Sequence, residues 1–322
     1  MTLRAEAPDA LHSRILGVGH YQPGTVVTND DLVARGVDTN DEWIRSRVGI
    51  AERRFAAPDE SVVDMAEAAS SKALANAGVD PSAVDLVLAA TCTMPSTVPA
   101  CAPQLASRLG IDAPGAFDVN SGCSGFAYAL NAASAAVRTG QAKTVLVTAA
   151  ERFSGWIDFA DRSTCIILGD GAGAVVVGSS EEVGIGPVVW GSDGDMSGKV
   201  IINPKTGYFE QDGQAVYRWA TTRMVPVALE ACDRAGVAPS DLAAFIPHQA
   251  NLRIVDMIAR KLGVRDEGVA RDIVESGNTS AATIPLALSK MVERGAIPSG
   301  APVLLLGFGS GLAFAGQVVL AP

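Results

Sequence analysis

The chain repeats itself. Leu168-Gly169-Asp170-Gly171-Ala172-Gly173 runs into the apolar stretch 174–177. Leu306-Gly307-Phe308-Gly309-Ser310-Gly311 begins 138 positions later and runs into another apolar stretch, an offset not far short of half of the 322 residues. Each copy follows a strand-like and a helix-like stretch of similar length. Runs such as 84–90 and 144–149 read as buried strands. Ala-rich runs such as 61–77 and 125–138 carry apolar residues every three or four positions, the spacing of a helix face. Strands and helices in this alternation build βαβ units around a parallel or mixed sheet. Two independent glycine turns would give the same local pattern. If the repeat is a duplication, it divides the chain into two similar α/β halves, 1–180 and 181–322. A dinucleotide site is excluded, because a strand-like run follows each glycine turn where a pyrophosphate loop would open a helix.

Composition narrows this further. Apolar residues make up 48%, charged residues 19% and aromatics only 5%, with 33 glycines. That is the profile of strands buried on both faces, and it excludes disorder, collagen and coiled coil. The net charge of −10 argues against nucleic acid as a partner, since phosphate binding needs a dominant basic field. The five cysteines are an odd number, widely spaced and without a CxxC, so neither a metal cluster nor a disulfide framework is indicated, and a reducing cytoplasm is the simplest compartment. The N-terminus has no apolar run and carries Glu6 and Asp9, unlike a signal peptide. Residues 300–322 hold no charge, yet their glycines break the run, so they read as two buried strands and a turn rather than a membrane span. Residues 191–213 are polar and Gly-rich and read as an irregular excursion over a site.

Few residues can do chemistry. There are three histidines. His12, in the N-terminal extension, and His20, beside the turn at 21–24, read as structural. His248 ends the strand-like run 243–247 ahead of a helix beginning near Asn251, the strand end where α/β folds place ligands. Cys123 follows the strand-like run 116–119 and the turn Asn120-Ser121-Gly122. A helix starts just after it, so the free N–H groups and the dipole are expected to favour thiolate. The other cysteines, Cys92, Cys101, Cys165 and Cys232, read as packing residues. Asn278 lies in a turn before the helical run 281–294. The order Cys, His, Asn also occurs in papain-like proteases, but Ser124 stands where their aromatic follows the cysteine, and an α/β repeat does not fit them. Between 251 and 265, Arg253, Arg260, Lys261 and Arg265 oppose only Asp256. Arg253, Met257, Arg260 and Lys261 share a helical face, a basic patch suited to an acidic partner.

Asp41-Glu42-Trp43-Ile44 with Arg47 and Gly49-Ile50 opens a series of motifs spread over almost the whole chain. Next come Gly122-Cys123-Ser124-Gly125-Phe126, then Asp161-Arg162 and the run 167–174. Pro247-His248-Gln249-Ala250-Asn251-Leu252-Arg253-Ile254, Gly277-Asn278-Thr279-Ser280-Ala281-Ala282 and Gly307-Phe308-Gly309-Ser310-Gly311 complete it. In this order they resemble β-ketoacyl-acyl carrier protein synthase III. Departures are Asn-Ser-Gly before Cys123, where Ala-rich residues are usual, and Ser310, where Gly is common.

The resemblance implies a thiolase-like fold, two duplicated α/β halves in a layered αβαβα arrangement, assembled as a homodimer. It implies a decarboxylating Claisen condensation of a short acyl-CoA with malonyl-acyl carrier protein. Cys123, His248 and Asn278 would be catalytic, and the backbone N–H groups of Cys123 and Ser310 would form the oxyanion hole. Trp43, Arg47, Arg162 and Asn251 would bind CoA, and Arg253, Arg260 and Lys261 would dock the carrier protein. Val98, before Pro99, would gate the acyl tunnel of the partner subunit, unless Tyr128 fills that space. No metal or resident cofactor is implied, acyl-CoA being a substrate. A priming ketosynthase or acyltransferase of a polyketide pathway is the alternative on the same scaffold.

Overall fold

The computed structural model describes residues 11–322. The N-terminal residues Glu6 and Asp9 lie outside that range. The chain begins with β1 (His12–Tyr21), β2 (Thr25–Thr28), α1 (Asn29–Ala34), α2 (Asp41–Val48), β3 (Glu52–Phe55) and α3 (Val62–Ala77). β4 (Leu86–Ala90), α4 (Cys101–Arg108), β5 (Gly115–Val119), α5 (Gly125–Arg138), β6 (Thr144–Arg152), α6 (Arg162–Cys165) and β7 (Asp170–Ser180) follow. After β8 (Val189–Ser192), β9 (Val200–Ile202) and β10 (Phe209–Gln211) come α7 (Gly213–Ala235), β11 (Ala244–Pro247), α8 (Leu252–Leu262) and α9 (Ile273–Ser276). α10 (Thr283–Glu293), β12 (Pro302–Gly309) and β13 (Ala313–Leu320) complete the chain.

Two sheets carry the fold, one in the order β1-β7-β6-β4-β5 and one in the order β8-β13-β12-β11. A parallel bridge from Phe245 to Val269 adds a fifth position beside β11. With it, both sheets read first, fifth, fourth, second, third in chain order. Their directions agree too: β4 is parallel to β5 and β6, while β7 is antiparallel to β6 and β1. Likewise β11 is parallel to β12, and β13 is antiparallel to β12 and β8. This is the duplication seen as topology.

Helices α5 and α10 lie between the sheets, α3 and α4 cover the first sheet, and α7, with α8 beside it, covers the second, giving five layers αβαβα. Period-two alternation explains why the strands are apolar throughout. Leu88 and Ala90 face the central layer while Val87 and Ala89 face α3 and α4. Val303 and Leu305 face the centre while Leu304 and Leu306 face α7. Each buried Leu contributes ~1.5–3 kcal/mol of burial.

The glycine repeat is less regular than its sequence. The first copy opens β7, whereas the second closes β12 and turns into β13. What the copies share is close approach to a central helix. A Cβ on Gly173 would lie 2.5 Å from the Leu286 backbone N at the start of α10, and one on Gly307 would lie 3.1 Å from Ser124 Cα at the start of α5. His12 belongs to β1 rather than to a loose extension, because the strand pairs along its whole length with β7. Residues 191–213 are also more ordered than their composition suggests. Ser192 still pairs in the second sheet, and Val200–Ile202 pairs with Phe209–Gln211 as a hairpin. Residues 300–322 form β12 and β13, and among the described residues no helix is long and apolar enough to cross a membrane.

Candidate active site

Cys123 sits in a single 3-10 turn, Gly122–Ser124, that runs directly into α5, so strand β5 delivers the thiol to the start of a central helix. From the other half, β11 ends at Pro247 and places His248 at its carboxyl end, where the His248 N–H bonds the Leu306 carbonyl at 2.8 Å. Asn278 follows α9 and is clamped by its backbone. Its N–H donates to Ile167 O at 2.9 Å, and its carbonyl accepts from Gly169 N–H at 3.1 Å. All three side chains line one cavity of about 570 Å³. They are nearly buried, Cys123 8%, His248 2% and Asn278 7% exposed, whereas Arg47, Arg218 and Arg253 on its outer wall are exposed. The cavity therefore has a basic mouth and a nucleophilic floor.

Each polar group on the floor has its orientation set. The Asn278 Oδ1 accepts the Ser280 N–H at 2.8 Å, which leaves the Nδ2 amide as the donor. His248 Nδ1 lies 2.8 Å from Thr283 Oγ1, whose hydroxyl donates to the Ser280 carbonyl at 2.9 Å and so accepts from the ring at rest. The imidazole stands edge-to-face against Phe308 at 5.4 Å. Burial pushes the His248 pKa down to about 3, so the ring is neutral at neutral pH. Gly309 must be glycine here, since a Cβ would lie 2.6 Å from Cys123 Cβ and 2.9 Å from Sγ. That closeness brings the Ser310 N–H to the sulfur, where it and the Cys123 N–H both stabilise negative charge.

The thiol itself overturns an expectation. Burial pushes the Cys123 pKa up, outweighing the Ser280 hydroxyl that donates to Sγ at 3.5 Å and the two backbone N–H groups. A helix start is thus not enough to yield a resting thiolate here, because the sulfur is buried and shares its surroundings with Glu151. Cys92 is likewise no mere packing residue. It is half-buried beside Cys123, 3.8 Å from Ser280 Oγ and 3.3 Å from Glu151 Oε1. Ser280, Thr283, Cys92 and Glu151 escaped the sequence reading. Ser280 and Thr283, polar residues at the start of an apolar helical run, were its only available signal.

The residues expected to bind CoA lie together, with Arg162 directly over Trp43. Arg162 Cζ lies 4.7 Å from the centroid of the Trp43 ring, and Arg47 Cζ lies 5.9 Å from it. A base between indole and guanidinium needs about 7 Å, twice a ~3.5 Å contact, so the expected stacking requires Arg162 to move; its side chain is exposed. Asn251 lines the cavity, but its amide is already engaged. It caps α8 by accepting the Arg253 N–H at 2.9 Å and donates to the Arg47 carbonyl at 3.2 Å. Arg253 stands over the Tyr217 ring at the cavity wall, while Arg260 and Lys261 are exposed at the far end of α8, outside the cavity. Asp256, the one acid in that stretch, is paired with Arg271.

A second cavity of about 220 Å³ touches Cys123 from another side, lined by Phe153, Val200, Ile202 and Phe209. Tyr128 lines neither cavity; it stacks on Trp190 and donates to the Gly191 carbonyl. Val98 is 77% exposed and lines neither cavity of its own chain.

Two duplicated α/β halves layered αβαβα, with a cysteine at the start of one central helix and a histidine and an asparagine from the other half on a shared floor, define a thiolase-fold condensing enzyme. Comparison with known proteins makes the assignment specific. Residues 117–194 match the family described as 3-oxoacyl-[acyl-carrier-protein (ACP)] synthase III, and residues 232–320 match its C-terminal part. Beta-ketoacyl-[acyl-carrier-protein] synthase III 4 of Streptomyces coelicolor is 55% identical over 96% of this chain and 99% of that protein. The mycobacterial synthase III of Mycobacterium avium is 46% identical over 96% of this chain and 95% of that protein. Among solved structures, the priming beta-ketosynthase of the R1128 polyketide pathway superposes with a TM-score of 0.95 at 44% identity, covering 100% of this chain and 99% of that one. The synthase III of Aquifex aeolicus superposes with a TM-score of 0.92 at 38% identity, covering 96% of this chain and 99% of that one. The chain belongs to the β-ketoacyl-acyl carrier protein synthase III family.

Proposed function

We propose that this enzyme starts fatty-acid synthesis by condensing a short acyl-CoA with malonyl-acyl carrier protein in the cytoplasm. The observation that carries the reading is the single cavity with Cys123, His248 and Asn278 on its floor beneath an arginine-rich mouth. In the first half-reaction Cys123 Sγ attacks the acyl thioester, and CoA leaves. The Cys123 and Ser310 N–H groups hold the oxyanion, a donor of this kind being worth ~2.7–4 kcal/mol. The acyl chain enters the second cavity along Phe153, Val200, Ile202 and Phe209. In the second half-reaction malonyl-carrier protein loses CO₂, and negative charge builds on its thioester oxygen. With the Thr283 hydroxyl turned to Nδ1, neutral His248 carries its proton on Nε2, and it and the Asn278 Nδ2 amide donate to that oxygen. The carbanion then attacks acyl-Cys123 and releases a 3-oxoacyl product. No step requires a metal or a resident cofactor.

Trp43, Arg47 and Arg162 would take the CoA adenine and phosphates once Arg162 opens. Asn251 would hold the α2–α8 wall behind them, and Arg253, Arg260 and Lys261 would meet the acidic carrier protein. Homodimer formation is supported by β5, an edge strand of the first sheet with Phe117 49% exposed, and by the exposed Val98. A priming role in polyketide synthesis is favoured by one observation, the likeness to the R1128 ketosynthase.

Intact-protein mass spectrometry tests the division of labour. Acetyl-CoA is expected to leave one acyl adduct, absent in Cys123→Ala. His248→Ala and Asn278→Ala are expected to acylate yet decarboxylate malonyl-carrier protein ~10²-fold more slowly, each having lost an enolate donor. An adduct surviving in Cys123→Ala, or condensation at the wild-type rate in either other variant, rejects the assignment.

A further inference from the structure

Glu151 is a carboxylate that the proposed reaction leaves idle. It lies in β6, is fully buried, and only accepts hydrogen bonds. Its donors are Thr93 Oγ1 at 2.6 Å, Thr91 Oγ1 at 3.2 Å, the Cys92 N–H at 3.1 Å and the Cys92 thiol at 3.3 Å. Among the described residues no Lys, Arg or His pairs with it; the guanidinium of its neighbour Arg152 turns away to the Ala57 and Pro58 carbonyls. A buried carboxylate without a cation is costly to keep for packing alone. One of its donors leads to the nucleophile. Cys92 Sγ lies 3.8 Å from Ser280 Oγ, and Ser280 Oγ lies 3.5 Å from Cys123 Sγ. At rest the Ser280 hydroxyl donates to Cys123 Sγ; turned to Cys92 Sγ, it leaves its oxygen free to accept from the Cys123 thiol, and the atoms then form a path from Cys123 to Glu151.

We propose that Glu151 is the proton acceptor for Cys123, reached through Ser280 and Cys92. The inference rests on the condensing reaction described above and adds a proton route to it. As Cys123 Sγ attacks the acyl thioester, its proton passes to Ser280 Oγ. The Ser280 proton passes to Cys92 Sγ, and the Cys92 proton to Glu151 Oε1. The Cys123–acyl bond forms, the acyl–sulfur bond of the acyl-CoA breaks, and the departing thiolate takes a proton from water at the cavity mouth. In the second half-reaction the malonyl carboxylate leaves as CO₂, and its bonding pair becomes the carbanion. That carbanion attacks the acyl carbonyl, and the electron pair of the Cys123–acyl bond returns to Sγ. The same hops in reverse bring the proton back from Glu151.

Charge conservation is the physical reason. The buried cluster carries one negative charge before and after the transfer. Loss of the thiol proton to solvent with Glu151 ionised would leave two like charges in one buried cluster, which is strongly disfavoured. Burial pushes the carboxyl and the thiols of Cys92 and Cys123 up together, so the acceptor and the path shift in the same direction.

The test is single-turnover acylation by acetyl-CoA, followed by mass across a pH series. Glu151→Gln is expected to slow acylation ~10²-fold at neutral pH, the scale of a lost general base, with the KM for acetyl-CoA unchanged. The defect is expected to close at alkaline pH, where the thiol ionises unaided. Cys92→Ala, at a half-buried position, is expected to show the same pH-dependent loss, and Cys92→Ser, which restores a relaying group, to recover the rate. A wild-type pH profile in Glu151→Gln overturns the proposal, as does a loss independent of pH. If Glu151→Gln does not fold, the Cys92 pair decides, and equal rates in Cys92→Ala and Cys92→Ser overturn it. A wild-type enzyme that forms no acyl adduct rejects the condensing reaction itself; normal wild-type acylation with undiminished variants rejects the proton route alone.

Discussion

At the scale of single residues, environment outweighs placement. Cys123 has the helix start that ordinarily lowers a thiol pKa, yet burial raises it above its usual 9.0. Alkylation of Cys123 by iodoacetamide in the free enzyme is therefore expected to keep climbing as pH rises past 9.0. A plateau in the neutral range, the mark of a resting thiolate, would count against this. Asn278 shows the opposite lesson. Its amide is turned by one hydrogen bond to Ser280 N–H, two residues on, so its donor role was close to legible from the local segment. The thiol's acid strength was not, because burial sets it first, and Ser280 and Glu151, which adjust it, are distant in sequence.

At the scale of elements, boundaries followed from chemistry that is local. Ser61 caps α3 in a reciprocal pair with Asp64, and Asn251 caps α8, so both helix starts could be read directly. The hairpin of β9 and β10 could not. Its strands have three residues each, and their pairing is held by Val200 and Phe209 packing into the core, Phe209 edge-to-face with Phe153 at 5.5 Å. Composition alone made it look like loop. Helix α8 carries its own prediction. Arg260 and Lys261 are exposed beyond the cavity, so reversing both to Glu is expected to raise the KM for malonyl-carrier protein by ~10-fold while leaving that for acyl-CoA unchanged. The effect should shrink as salt rises, since exposed charges are screened beyond ~10 Å at 0.1 M. A salt-independent change, or one that extends to acyl-CoA, would show that the patch does not dock the carrier.

At the scale of the whole molecule, the exposed β5 edge, Phe117 and Val98 form the surface on which dimerisation is proposed. Phe117→Lys is expected to lower the apparent mass in light scattering. Val98→Phe is expected to shift preference toward acetyl-CoA, because a bulkier gate shortens the acyl tunnel by groups worth ~0.8 kcal/mol per buried CH₂. Unchanged kcat/KM ratios for acetyl and isobutyryl primers would remove Val98 from that role. The amino-acid sequence by itself determined the α/β class, the doubled plan and the positions of Cys123, His248 and Asn278. Periodicity, caps and glycine turns are properties of neighbouring residues, and they are written in order along the chain. Only the tertiary structure decided how acidic the thiol is, that the Trp43–Arg162 pair rests closed, and that Cys92 faces a buried carboxylate. Ser280 reaches Cys123 across 157 positions, and Glu151 reaches Cys92 across 59. Burial and hydrogen bonding at that range depend on how the two sheets and the central helices pack, and no local pattern encodes them.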